Sequence, residues 1–98
     1  MLDLVALRSL CSVAEHGTLA KAAIELGFTP SAVSQQIARL ERHLNVRLLA
    51  PAGRGVLLTP TARQLVDHAP EVFAALERCE VGARAQATGE PVGTVRVA

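Results

Sequence analysis

The sequence predicts a mainly α domain in which three short helices, a small two-stranded hairpin and one long C-terminal helix share a single core. Three observations predict it. Half of the 98 residues are hydrophobic, with Ala, Leu and Val in quantity, two Phe and neither Trp nor Tyr, a mix that favours helices packed closely through small side chains. Apolar residues in the first and last segments recur at spacings of three and four, the period of a helix face. Two short β-prone runs flank the tetrapeptide PAGR, which reads as a hairpin.

The first helix opens after Asp3, a plausible N-cap, and carries Leu4, Leu7, Leu10, Cys11 and Ala14 on one stripe until Gly17 ends it. Thr18 is placed to cap a second helix, LAKAAIEL, whose Ala20, Ala22 and Ala23 let another helix approach; Gly27 closes it. Thr29-Pro30 is a strong start signal for a third, because the hydroxyl accepts an orphan N–H and proline at the first helical position loses nothing. This helix is expected to run to about Leu44.

VRLLA and GVLLT then form the hairpin, with Arg54 at its tip between Gly53 and Gly55. Thr59-Pro60 repeats the start signal and opens a helical pattern to about Ala87. Its stripe of Leu65, Val66, Ala69, Val72, Phe73, Leu76, Ala83 and Ala87 is longer than the preceding elements can cover. Part of it is therefore expected to meet a second copy of the chain. Pro70 removes a backbone donor, so a kink near residues 66–69, or a break there, is expected. The final GEPVGTVRVA is a Gly/Pro-punctuated connection leading to a strand-like VRV, either frayed or the first strand of another domain. The chain thus divides into 1–59, a compact helical unit with a hairpin; 60–88, a linking helix; and 89–98, a hinge and strand.

Ten basic residues face nine acidic ones, so net charge does not announce a nucleic-acid partner. The distribution says more. The modest basic excess of the first 58 residues sits mostly between Arg39 and Arg54. Cys11 and Cys79 are far apart, without CxxC or a histidine at metal spacing, and are expected to be buried free thiols in a reducing cytoplasm. The N-terminal apolar stretch is interrupted by Asp3 and Arg8, and no later stretch is long enough to span a membrane. His16, His43 and His68 are isolated, and no nucleophile, zinc or phosphate-loop motif is present. Neither an enzyme nor a bound cofactor is expected in this fragment.

Helix, Gly-containing turn, helix is the pattern of a helix-turn-helix. On the helix after Thr29, Val33, Ile37, Leu40 and Leu44 share one face, while Ser31, Gln35, Ala38, Arg39 and Arg42 lie around the other. That outer face suits a duplex: Ser and Gln near the start can reach base edges, and the arginines can meet phosphates. A solvated surface helix would show the same face, and Arg54 could be an ordinary hairpin tip.

LRSLCSVAEHGTLAKAAIELGFTPSAVSQQIARLERHLNVRLL, then GRGVLLTPTA and the terminal GTVRVA, together resemble the N-terminal domain of the LysR-type transcriptional regulators. The resemblance covers nearly everything from Leu4 to Ala98. It implies a winged helix-turn-helix with a two-stranded wing and a long linker helix, binding double-stranded promoter DNA as a homodimer. Full-length members form dimers of dimers and sense a small molecule through a following domain, which would be missing here. By the same resemblance Thr18 and Lys21 touch the DNA backbone, and Thr29, Pro30, Ser31, Ser34 and Gln35 form the base-reading start of the recognition helix. Arg39 joins them from the helix face, and Arg54 matches the wing arginine. Leu65, Val72, Phe73, Leu76 and Ala83 are the expected dimer contacts of the linker.

Two positions depart from the family pattern. Gln35 stands where arginine is usual, exchanging a guanine-preferring contact for an adenine-preferring one. Pro51 stands where arginine usually ends the first wing strand, removing a phosphate contact and stiffening the wing entrance. A molybdate-type regulator is a related alternative, against which the Thr-Pro-Thr-Ala junction and GTVRVA argue. A winged helix used only for protein contact is another, and it would tolerate loss of Arg54 and Lys21.

Overall fold

The structure, a computed structural model, describes residues 1–89. Its elements are α1 (Leu4–His16), α2 (Leu19–Leu26), α3 (Pro30–Leu44), β1 (Leu49–Ala52), β2 (Gly55–Leu58) and α4 (Pro60–Gly89). The expected C-terminal strand lies outside the described residues.

The local signals fold as their chemistry dictates. Asp3 accepts from the N–H groups of Val5 at 2.9 Å and Ala6 at 3.2 Å, and Gly17 ends α1 at φ +82°, a conformation that favours glycine. Thr18 caps α2 through Lys21 N–H, and Thr29 caps α3 through Ala32 N–H, each at 3.1 Å. Asn45 closes α3 in the left-handed region, a role Asn tolerates better than most residues.

α1 is the central helix, packed on by α2, α3 and α4. The centre of its buried face is Ala6, Leu10 and Val13, with Leu7 also enclosed, while Leu4, Cys11 and Ala14 are only half-buried. The predicted stripe is thus rotated, because neighbours cover α1 from three sides rather than one. From α2 come Ala22 and Ala23, from α3 Val33, Ile37 and Leu40, and from α4 Ala62. Each large aliphatic among them contributes about 1.5–3 kcal/mol by leaving water.

The hairpin is antiparallel, pairing Leu49 with Leu58 and Ala52 with Gly55 around the two-residue turn Gly53-Arg54. Its first strand begins later than expected. Residues 46–48 make the exit from α3 instead: Val46 N–H bonds the Glu41 carbonyl at 3.1 Å, and Leu48 is fully buried. Pro51 therefore lies inside β1, close to the tip rather than at the wing entrance. Thr59 stands between β2 and α4, accepting from Ala62 N–H at 3.2 Å and donating to the Arg47 carbonyl at 2.6 Å.

α4 passes through Pro70 without interruption, so the break does not occur; Pro70 lies on the exposed side of the helix. The two thiols also differ from expectation. Cys79 is exposed on the outer part of α4, and Cys11 is half-buried. Burial raises the Cys11 pKa, with the Arg8 charge opposing the shift. No described helix is long and apolar enough to cross a membrane.

Candidate nucleic-acid interface

α3 presents the face that its sequence pattern implied. Val33, Ile37 and Leu40 are buried, whereas Pro30, Ser31, Ser34, Gln35, Arg39 and Arg42 are exposed. Thr29 stands exposed at its start. Because a hydroxyl has one proton and two lone pairs, Thr18 and Thr29 can cap their helices and still donate outward.

The wing stands beside this face. A shallow cleft of about 270 Å³ is lined by Leu19 of α2, Ser34 and Ala38 of α3, and Pro51 and Gly55 of the wing. Gly55 also meets the α1–α2 turn: a Cβ built there would lie 2.9 Å from the Gly17 carbonyl oxygen, and Val56 N–H points to that oxygen at 3.5 Å. The turn preceding Thr18 and the strand following Arg54 are thereby held together. Gly55→Ala should lower the denaturant-derived stability by about 1–3 kcal/mol, the cost of forcing a methyl into a packed site. An unchanged midpoint would show that the contact yields freely.

Lys21, Arg39, Arg42 and Arg54 are exposed, and among the described residues no ion pair engages them. Their charge is available to an outside anion. Arg54 projects from the hairpin turn, where Gly53 takes the positive φ of +58° and Arg54 does not, the arrangement of a turn with glycine first. Arg47 is engaged differently, its Nε 3.9 Å from Glu41.

The structure brings together Thr18 at the start of α2, the outer face of α3 and the wing. It separates from them the residues expected at a dimer contact. Leu65 and Val66 pack against the chain's own core, so the free stripe of α4 begins further along. Val72 and Phe73 are half-buried, and Leu76 and Ala83 are exposed. The Arg8 guanidinium lies 4.4 Å from the Phe73 ring centre, a cation–π contact that ties α4 to α1.

Sequence reasoning missed two interior contacts. The Ser9 hydroxyl donates to the Gln36 amide oxygen between α1 and α3. Glu41 accepts from the backbone N–H groups of Leu48 at 2.7 Å and Leu49 at 3.4 Å. Neither has a local pattern to betray it, since the partners are 27 and seven or eight residues apart.

The family model described as bacterial regulatory helix-turn-helix protein, lysR family, matches residues 4–63. The chain belongs to the LysR family. This decides against the molybdate-type alternative, and it makes the chain a LysR-type helix-turn-helix DNA-binding domain rather than an enzyme. A probable hydrogen peroxide-inducible genes activator of Mycobacterium xenopi is 43% identical over 74 residues, covering 76% of this chain and 39% of that protein. A putative transcriptional regulator of Pseudomonas aeruginosa is 37% identical over 91 residues, covering 93% and 29%. The chain therefore spans well under half the length of these two relatives. Among solved structures, the CbnR DNA-binding domain in complex with DNA superposes with a TM-score of 0.82 at 29% identity, covering 88% of this chain and 99% of that one. The BenM DNA-binding domain on its benA site 1 DNA gives 0.81 at 27%, covering 91% and 100%. The winged helix-turn-helix with a long C-terminal helix is thus the LysR-type arrangement.

Proposed function

We propose that this domain binds promoter DNA as a homodimer, with α3 in the major groove and Arg54 at the adjacent minor groove. The observation that carries the reading is the convergence of the α2 start, the polar face of α3 and the wing on one side, with their cations engaged in no ion pair among the described residues. Thr29, Ser31, Ser34 and Gln35 at the start of α3 face base edges; Thr18, Lys21 and Arg39 face phosphates. Pro30 sets the start of α3 without blocking its approach. Val72, Phe73, Leu76 and Ala83 form the dimer contact along α4, with Leu65 at its inner margin. The whole regulator would work in the cytoplasm, assemble as a dimer of dimers and take its effector through a further domain.

Arg54→Ala tests the reading. Duplexes selected from a random pool by the unaltered chain are titrated across a salt series. The variant should bind about ten-fold more weakly, on selected and unselected duplexes alike, and the slope of log affinity against log salt should fall by about one. Unchanged affinity and slope would remove the wing from the interface.

A further inference from the structure

α3 rests on the core through Val33, Ile37 and Leu40, all buried. Contacts of this kind resist separation but are not directional. The bond from Ser9 in α1 to Gln36 in α3 is of another kind: it joins two side chains exposed by only 0% and 8%, and it holds only within a narrow range of distance and angle.

We infer that Ser9 is a positioning residue for DNA reading, its hydrogen bond to Gln36 fixing the rotation and axial setting of α3 and hence the place from which Gln35 meets the duplex. Gln36 and Gln35 are neighbours on α3, about 100° apart around its axis. They share one rigid backbone, so any rotation that Gln36 resists is a rotation that Gln35 does not undergo. With its amide about 6 Å from the helix axis, a turn of about 10° moves the Gln35 side-chain end by about 1 Å. That displacement carries a good hydrogen bond beyond its useful range. Removing the Ser9 hydroxyl leaves a buried amide oxygen without its donor, and α3 gains a reason to shift toward water.

The inference rests on the reading that the outer face of α3 meets bases, and its test separates the two. Binding to the selected duplex and to its single-base variants is measured for the unaltered chain, Ser9→Ala, Gln35→Ala and Ser9→Ala/Gln36→Leu, with the fraction folded checked for each. Ser9→Ala should lose discrimination by about five-fold, the equivalent of one ordinary hydrogen bond, while affinity for an unselected duplex and the salt slope stay unchanged. The double variant removes both polar groups, so it should regain thermal stability without regaining discrimination. It also supplies the result if Ser9→Ala does not fold. Full discrimination in Ser9→Ala, with loss in Gln35→Ala, would overturn the inference and leave base reading by α3 intact. Recovery of discrimination together with stability in the double variant would reduce the bond to a structural one. Unchanged discrimination in Gln35→Ala would overturn base reading at that side chain, and the inference with it.

Discussion

Gln35→Ala is expected to flatten the chain's preference at one base pair of its selected site by about ten- to a hundred-fold. The side chain is exposed on α3 one turn from Ser31, and a glutamine amide can donate to and accept from the major-groove edge of adenine at once. Such a bidentate contact is worth about 1–3 kcal/mol of discrimination. Because Gln35 carries no charge, the salt slope should not change, in contrast to Arg54→Ala. Gln35→Arg should move the preferred base from adenine toward guanine, whose O6 and N7 match a guanidinium, and raise affinity for all duplexes. Binding of the variants to a panel covering every single-base change decides the matter. If Gln35→Ala leaves each preference as it was, another residue of α3 reads that base.

What the sequence made legible was local. Asp3, Thr18, Gly17, Gly27 and the Thr29-Pro30 pair each act within a few residues, so their side chains alone indicate where helices begin and end. The outer face of α3 was legible for a related reason: one buried stripe of Val33, Ile37 and Leu40 forces the remaining positions outward. Contacts made by distant segments were not. Gln36 reads as one more polar residue of α3, because nothing near it in sequence reveals that Ser9 of α1 waits across the interface. β1 starts later than the β-prone Val46 suggests, because the chain must first leave α3 through Asn45 and bury Leu48. Thiol burial is not legible from residue type, which gives an average and not the burial on a helix that outruns its core, as α4 does at Cys79.

Among the sequence's unheralded residues, Glu41 has the largest expected effect on stability. It lies near the end of α3, and its Oε2 accepts from the N–H groups of Leu48 and Leu49 just where the chain turns into the wing. Leu48 is fully buried, so water has no easy route to replace the lost acceptor. Hydrogen bonds to a charged group contribute about 1.5–3 kcal/mol, and a buried donor left unsatisfied costs about 1–3 kcal/mol. Glu41→Ala should therefore lower stability by about 2–3 kcal/mol, a loss of more than a hydrogen-bond average because the acceptor serves two donors. The nearby Arg47, exposed and 3.9 Å away, adds little to this figure, since exposed ion pairs contribute at most about 1 kcal/mol. Arg47→Ala is thus the control, and it should change stability by less than half as much. Glu41→Gln, which keeps a carbonyl oxygen in place, should fall between the two. The effect should also reach the wing: amide exchange at Leu48 and Leu49 should accelerate in Glu41→Ala more than exchange in the middle of α1. Equal stability in Glu41→Ala and Arg47→Ala would mean that the wing root is held by Leu48 packing and the Thr59 bond to the Arg47 carbonyl, and not by the carboxylate.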